Sequence, residues 1–226
     1  MGKEKEKEKV KIFTRQVGIF NPTLFDEYGI SIVGCGGVGS ALGIILAKLG
    51  MSNFELWDFD KIDLVNIPNQ FFKENSIGKL KTEELKENME LFSKDLDIEI
   101  VNQKFTTKNV LTKPIVCCCV DSMKARKDIF EKAVKSKEAK LFIDTRMGGE
   151  IFEIFTIDLT NKDNIKYYKN NLFPDNEAAS VRCTEKAIIF NVMTIASLVA
   201  CQLIKVLKNV KYKRELTGDL ITVNIK

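Results

Sequence analysis

The sequence predicts an α/β fold: a Rossmann-like, doubly wound, mostly parallel sheet with an antiparallel C-terminal extension. Three observations predict it. A short apolar run at residues 30–33 leads at once into a glycine-rich turn and then an apolar helix-like stretch. Strand-like and helix-like segments keep alternating as far as residue 144, the pattern of a parallel sheet with crossover helices. From residue 149 the pattern becomes an alternation carried by Ile151, Phe152, Ile154, Phe155 and Ile157, which reads as antiparallel sheet.

Each element has its own signal. After the glycine turn, residues 41–49 read as a helix closed by Gly50, a C-cap. Residues 54–57 form a second strand with Asp58 at its end, completing a strand–turn–helix–strand–acid unit. Residues 79–93, rich in Lys, Glu and Leu, predict a helix, and residues 98–103 a strand. Residues 115–120 predict a buried strand that ends at Asp121, followed by a helix over 125–136 and a strand over 140–144. The polar stretch 161–177 reads as a loop. A long helix over 187–207 and a last strand over 220–225 close the chain. Residues 1–10 predict a flexible charged arm, since their alternating Lys and Glu cannot bury surface. Residues 11–226 predict one domain.

Bulk properties narrow the function. The chain has 226 residues, 45% apolar and 29% charged, a soluble globular composition. A net charge of +4 is too mild to argue for nucleic acid. No apolar segment follows the N-terminal charges as in a signal peptide. Residues 188–207 are interrupted by Asn191, Thr194, Ser197, Gln202 and Lys205, so a buried helix is expected there rather than a membrane span. The six cysteines form no CxxC pair, so no zinc is expected. Reduced thiols and a cytoplasmic location are expected. Cys117, Cys118 and Cys119 lie in an apolar strand and read as inert, and Cys201 reads as core. Histidine is absent, which removes the commonest general base and metal ligand.

Gly34, Gly36 and Gly39 satisfy G-x-G-x-x-G. The first glycine makes the tight turn, the second lets a phosphate approach the backbone, and the third allows helix and strand to pack closely. Asp58, at the end of the next strand, can accept hydrogen bonds from ribose hydroxyls. This much suits either an NAD-dependent oxidoreductase or an ATP-using enzyme.

The residues around and beyond this unit separate the two. Arg15-Gln16 precedes the turn Gly34-Cys35-Gly36-Gly37-Val38-Gly39-Ser40. Asp58, Asp60, Asn66, Asn69 and Gln70 come after it, then Gly78, Lys81, and Asp121 with Arg126. This ordered set resembles the ThiF/MoeB/HesA family of adenylyltransferases, which shares its core with ubiquitin-activating enzymes. The resemblance spans residues 15–208.

The resemblance implies ATP and magnesium as cofactors and adenylation of a C-terminal carboxylate. Its partner would be a ubiquitin-like or sulfur-carrier protein, or a peptide. Asp58 would hold the ribose beside the glycine turn with its Gly37, and Asp60 and Asn69 would belong to the nucleotide site. Asn66 and Lys81 would hold the phosphates, Asp121 would bind the metal, and Arg15 would reach into the partner subunit of a homodimer. A carboxylate nucleophile is already ionised at neutral pH, so the missing histidine costs this chemistry nothing. No nucleic acid and no membrane are expected as partners.

Several residues keep two readings. Lys81 sits in a Lys-rich helix and also suits plain surface charge. Arg126, in the helix after Asp121, suits a structural role as well as a functional one. Cys183, beside Arg182 before the long helix, is either a thiol that takes over the activated carboxylate or a packed helix-start cysteine. Where the family carries arginine before glutamine, this chain has Asn69, which cannot replace a bidentate cation. That departure keeps open a non-catalytic nucleotide-binding scaffold subunit.

Overall fold

Strand β1 (Gly29–Val33) is the pivot of the molecule. It lies between β2 (Asn53–Trp57) and β4 (Ile115–Cys118), and all three run parallel. From β1 the chain moves outward through β2 to β3 (Asp97–Val101), then crosses back to β4 and on to β5 (Leu141–Gly148), every pairing parallel. The strand order reverses between β1 and β4. The crevice outside their C-terminal ends is therefore the topological switch point, where ligands bind in such sheets. Strands β6 (Ile151–Asp158), β7 (Glu215–Asp219) and β8 (Asn224–Ile225) complete the eight-stranded sheet antiparallel. The predicted fold class holds. The structure, a computed structural model, describes residues 11–174 and 187–226. The arm expected over residues 1–10 lies outside them.

Residue parity along the strands sorts the side chains onto two faces. Ile30, Ile32, Phe54, Leu56, Ile115 and Cys117 face one core, covered by α1 (Gly37–Leu49), α2 (Lys81–Glu90) and α5 (Ile189–Leu207). Val33, Trp57, Val116, Cys118 and Phe142 face the other, covered by α3 (Met123–Lys135) and α4 (Lys162–Asn170). Gly43 brings α1 against α2, since a Cβ there would lie 3.0 Å from the sulfur of Met89. Gly50 ends α1 in the left-handed region at φ 93°, the cap expected of it. Helix α5 is long and apolar enough to cross a membrane by length and composition alone. Its Val192, Ile195, Ala196, Val199 and Leu203 are nevertheless buried in the first core.

Four expectations need correction. Residues 162–170 form α4 rather than a loop: the Asn161 side chain accepts from the N–H groups of Asp163 and Asn164, and Tyr168 is buried among Phe130, Phe142 and Phe155. A cap and one aromatic anchor stabilise a helix too short and polar to be read from its pattern. Strand β5 continues past Asp144 to Gly148, because Thr145–Gly148 pair with β6. The last strand expected over 220–225 is instead β7 and β8 around a turn in which Asp219 accepts from Ile221 and Thr222. Cys201 is exposed, not core, because it lies on the side of α5 opposite Val199 and Leu203.

Candidate functional site

The glycine turn leaves β1 at the switch point, and its three glycines do different things. Gly34 has φ +95°, and a Cβ on it would lie 2.6 Å from the carbonyl oxygen of Cys119 at the end of β4. A Cβ on Gly39 would lie 1.9 Å from the carbonyl oxygen of Gly34, so the third glycine is what lets α1 begin so close to the turn. Gly37 sits between Val192 and the Asn69 carbonyl. Around Gly36 the space is open: a Cβ there would meet only the Gln70 side-chain nitrogen, at 3.8 Å. That open side, at the N-terminus of α1 with its free N–H groups, is where an anion can reach the backbone.

Asp58 braces this turn. Its Oδ2 accepts from the Cys35 N–H at 2.7 Å, and its Oδ1 accepts from the Asp60 N–H at 2.9 Å. Burial raises its pKa, against the lowering pull of those two hydrogen bonds and of Lys81. A carboxylate has about four lone-pair directions, so two remain for ribose hydroxyls. The neighbouring loop pairs residue 61 with residue 80 as an antiparallel bridge. This sets the Lys81 ammonium 3.1 Å from exposed Asp60, with the lysine side chain itself buried. Lys81 is thus no surface charge; its stem is enclosed and its head is held beside the turn. Asn66 accepts the Asp63 N–H on its Oδ1 at 3.0 Å, which leaves its NH₂ as a donor.

Asp121 reaches the same crevice from β4. It stands exposed between the strand end and Ser122, whose hydroxyl caps α3 by accepting the Ala125 N–H. Arg126 is buried and its two readings resolve to a structural one. Both its terminal nitrogens donate to the Val120 carbonyl, at 3.1 and 2.8 Å, and one also donates to Thr145. It lies 3.2 Å from fully buried Asp144, which also pairs with Arg146 at 2.9 Å. This network fixes the backbone that presents Asp121, and nothing in the local sequence pattern announces it.

The remaining candidates divide. Asn69 meets α1 through its carbonyl oxygen, and no hydrogen bond among the described residues uses its carboxamide. Arg15 is exposed and is not brought to this crevice: Gln16 next to it donates to the Leu49 carbonyl at the opposite end of α1. Thirteen helical residues separate the two ends, about 20 Å. Cys183 lies outside the described residues. Burial pushes the Cys117 thiol up to about 12, and those of Cys118 and Cys119 also rise, so these three are poor nucleophiles at neutral pH. Among the described residues no three His, Cys, Asp or Glu side chains gather to hold a metal ion. A lone exposed carboxylate such as Asp121 suits magnesium, which takes one or two carboxylates and completes its shell with phosphate oxygens and water.

Known proteins resemble this chain in sequence and in fold. The ThiF family model matches residues 23–226. Ubiquitin-like modifier-activating enzyme 5 of Gallus gallus is 28% identical over 142 residues, which are 56% of this chain and 32% of that protein. The chain thus spans about a third of the length of that curated relative. The E. coli MccB structure with ATP superposes with a TM-score of 0.70 at 17% identity, covering 91% of this chain and 64% of that one. MccB has also been solved with MccA. PaaA superposes with a TM-score of 0.73 at 15% identity, covering 97% of this chain and 82% of that one.

Proposed function

We propose, starting from the fact that this chain belongs to the ThiF family, that it adenylates a carboxylate at the end of a ubiquitin-like protein, a sulfur carrier or a peptide. The observation that carries the reading is the meeting of four features at one switch point: the open side of Gly36, the braced carboxylate of Asp58, the enclosed Lys81 and the presented Asp121. Solved MccB with ATP and with MccA, and a relative named as a ubiquitin-like modifier-activating enzyme, support the same class.

In the reaction the acceptor carboxylate oxygen bonds to the α-phosphorus of ATP. The α-phosphorus bond to the bridging oxygen breaks, and pyrophosphate leaves with that electron pair. No proton moves. Negative charge accumulates on phosphate oxygens, so donors set in advance lower the barrier. Asp58 takes the ribose hydroxyls. The α1 N-terminus, the Asn66 NH₂ and Lys81 take the phosphates. Asp121 would hold magnesium, which supplies charge neutralisation when bound. Cys183 is the thiol we assign to any later transfer of the activated carboxylate. Pyrophosphate exchange into ATP, dependent on acceptor, tests the reading. Nucleotide binding without exchange would favour the scaffold subunit that Asn69 keeps open.

The working unit we propose is a homodimer. Along α5 the exposed residues Phe190, Met193, Ser197 and Cys201 follow helical spacing with no charge among them. A second copy would cover such a stripe. Arg15, about 20 Å of helix away from its own glycine turn, would then serve the partner's phosphates. Mixing Arg15→Ala with Asp121→Ala subunits tests this, since only a site shared between copies regains activity. Mixtures as dead as their components would place Arg15 elsewhere.

A further inference from the structure

The phosphate end of this site lacks one cation, because Asn69 stands where the family carries arginine. We propose that Gln70 supplies the missing contact, as a neutral phosphate ligand built into the wall of the glycine turn; this rests on the adenylating reading above.

Three observations converge on it. The side-chain nitrogen of Gln70 is the one atom that a Cβ on Gly36 would approach within 4 Å, at 3.8 Å. Gly36 is the turn residue whose missing side chain leaves room for phosphate, so this donor borders the place where a phosphate oxygen would sit. The carboxamide is also unengaged. Its Oε1 is buried without a hydrogen-bond partner, and no hydrogen bond among the described residues uses its NH₂. The NH₂ is the half of the carboxamide that can meet a phosphate oxygen, since Oε1 and phosphate both only accept.

The third observation is rigidity. The segment is fastened to α1 on both sides of Gln70. The Asn69 carbonyl packs against Gly37, and the Phe71 N–H donates to the Ser40 hydroxyl at 3.1 Å. The Phe72 N–H donates to the Gln70 carbonyl at 2.9 Å, and Asn88 donates to the Phe71 carbonyl at 2.9 Å. A donor on a fastened segment needs little reorganisation when the ligand arrives. Asn69 carries the same amide on a side chain one methylene shorter, and its backbone carbonyl is the part that meets α1. A neutral amide also differs chemically from the arginine it replaces. It donates to phosphate without adding charge, so the pocket relies more on Lys81 and on the partner's cations for charge balance.

The test compares ATP with adenosine by titration calorimetry on the full chain. With Gln70→Leu, of similar size, ATP affinity should fall about tenfold, as expected for one hydrogen bond to a charged group. Adenosine affinity should stay unchanged. Gln70→Glu should weaken ATP further, since it sets a carboxylate against phosphate. Adding Asn69→Arg to Gln70→Leu should restore ATP binding. Equal ATP affinity in wild type and both Gln70 variants overturns the assignment and leaves the adenylating reading standing. Equal losses for ATP and adenosine would make Gln70 a packing residue, which also overturns it. A wild-type chain that binds no ATP sinks both.

Discussion

Two strand ends meet at the switch point, and they are built by different means. The end of β1 is held by the absence of side chains: Gly34 and Gly39 permit approaches to the Cys119 and Gly34 carbonyls that no Cβ would allow. The end of β4 is held by buried charge: Arg126 clasps the Val120 carbonyl while pairing with Asp144, which pairs in turn with Arg146. The first device is local in sequence, and the second joins residues from three elements. Small residues give a turn that either fits or does not. A buried ion network gives a strand end whose integrity depends on every partner being present.

The sharpest way to break the comparison is at Gly39. Gly39→Ala forces a Cβ to 1.9 Å from a backbone carbonyl, so α1 must move or the fold must yield. A loss of more than about 4 kcal/mol is expected, read by urea denaturation, together with loss of ATP binding. A variant of near-normal stability would mean that the turn tolerates a side chain and that its packing is looser than described.

Arg126→Ala attacks the other end. It leaves Asp144 buried with half its pairing gone, and a cost of about 3–5 kcal/mol is expected. Adding Asp144→Asn to this variant should recover part of it, because the half-paired buried charge is removed while Arg146 keeps Glu153 as a partner. If the double variant is no better than the single one, the loss comes from the Val120 carbonyl contacts rather than from the ion pair.

Asp121→Ala sharpens the comparison by separating support from chemistry. The residue is exposed, so stability should change by no more than about 0.5 kcal/mol. Pyrophosphate exchange should fall by about 10²–10³-fold, the scale of losing one charge-stabilising contact. Unfolding in step with lost activity would make Asp121 part of the scaffold.

The smallest expected effect is the pH dependence of Asp58. Its folded pKa is raised, chiefly by burial, so the folded state binds a proton more readily than the unfolded one. Relative to Asp58→Asn, the wild type should gain stability as pH falls through the raised pKa. The gain should be complete below the ordinary value of 3.8 and absent at neutral pH. Melting temperatures measured against pH for both proteins give the difference, and the opposite slope would show that the hydrogen bonds from Cys35 and Asp60 outweigh burial.

Much was legible in the sequence because it is written locally. Gly34, Gly39 and Gly50 each announce a backbone need that no other residue meets, and Gly36 announces the open side of the turn. The apolar runs of β1, β2 and β4 are short enough and regular enough to place Asp58 directly after β2 and Asp121 three residues past β4, which stops at Cys118 rather than running on to residue 120, and the order of those strands follows from crossover rules. Other features depended on what comes near in space. The pairing with β6 carried β5 four residues past Asp144. The ring cluster around Tyr168 made a helix of a polar stretch. Arg126 became a clamp because Asp144 lies across from it, Lys81 became an enclosed cation because residue 61 pairs with residue 80, and Arg15 was set at the far end of α1 by Gln16. Periodicity and glycine placement report what one segment requires of its own backbone. Which side chain is buried, paired or left unsatisfied depends on a neighbour distant in sequence, and only the folded sheet brings that neighbour within reach.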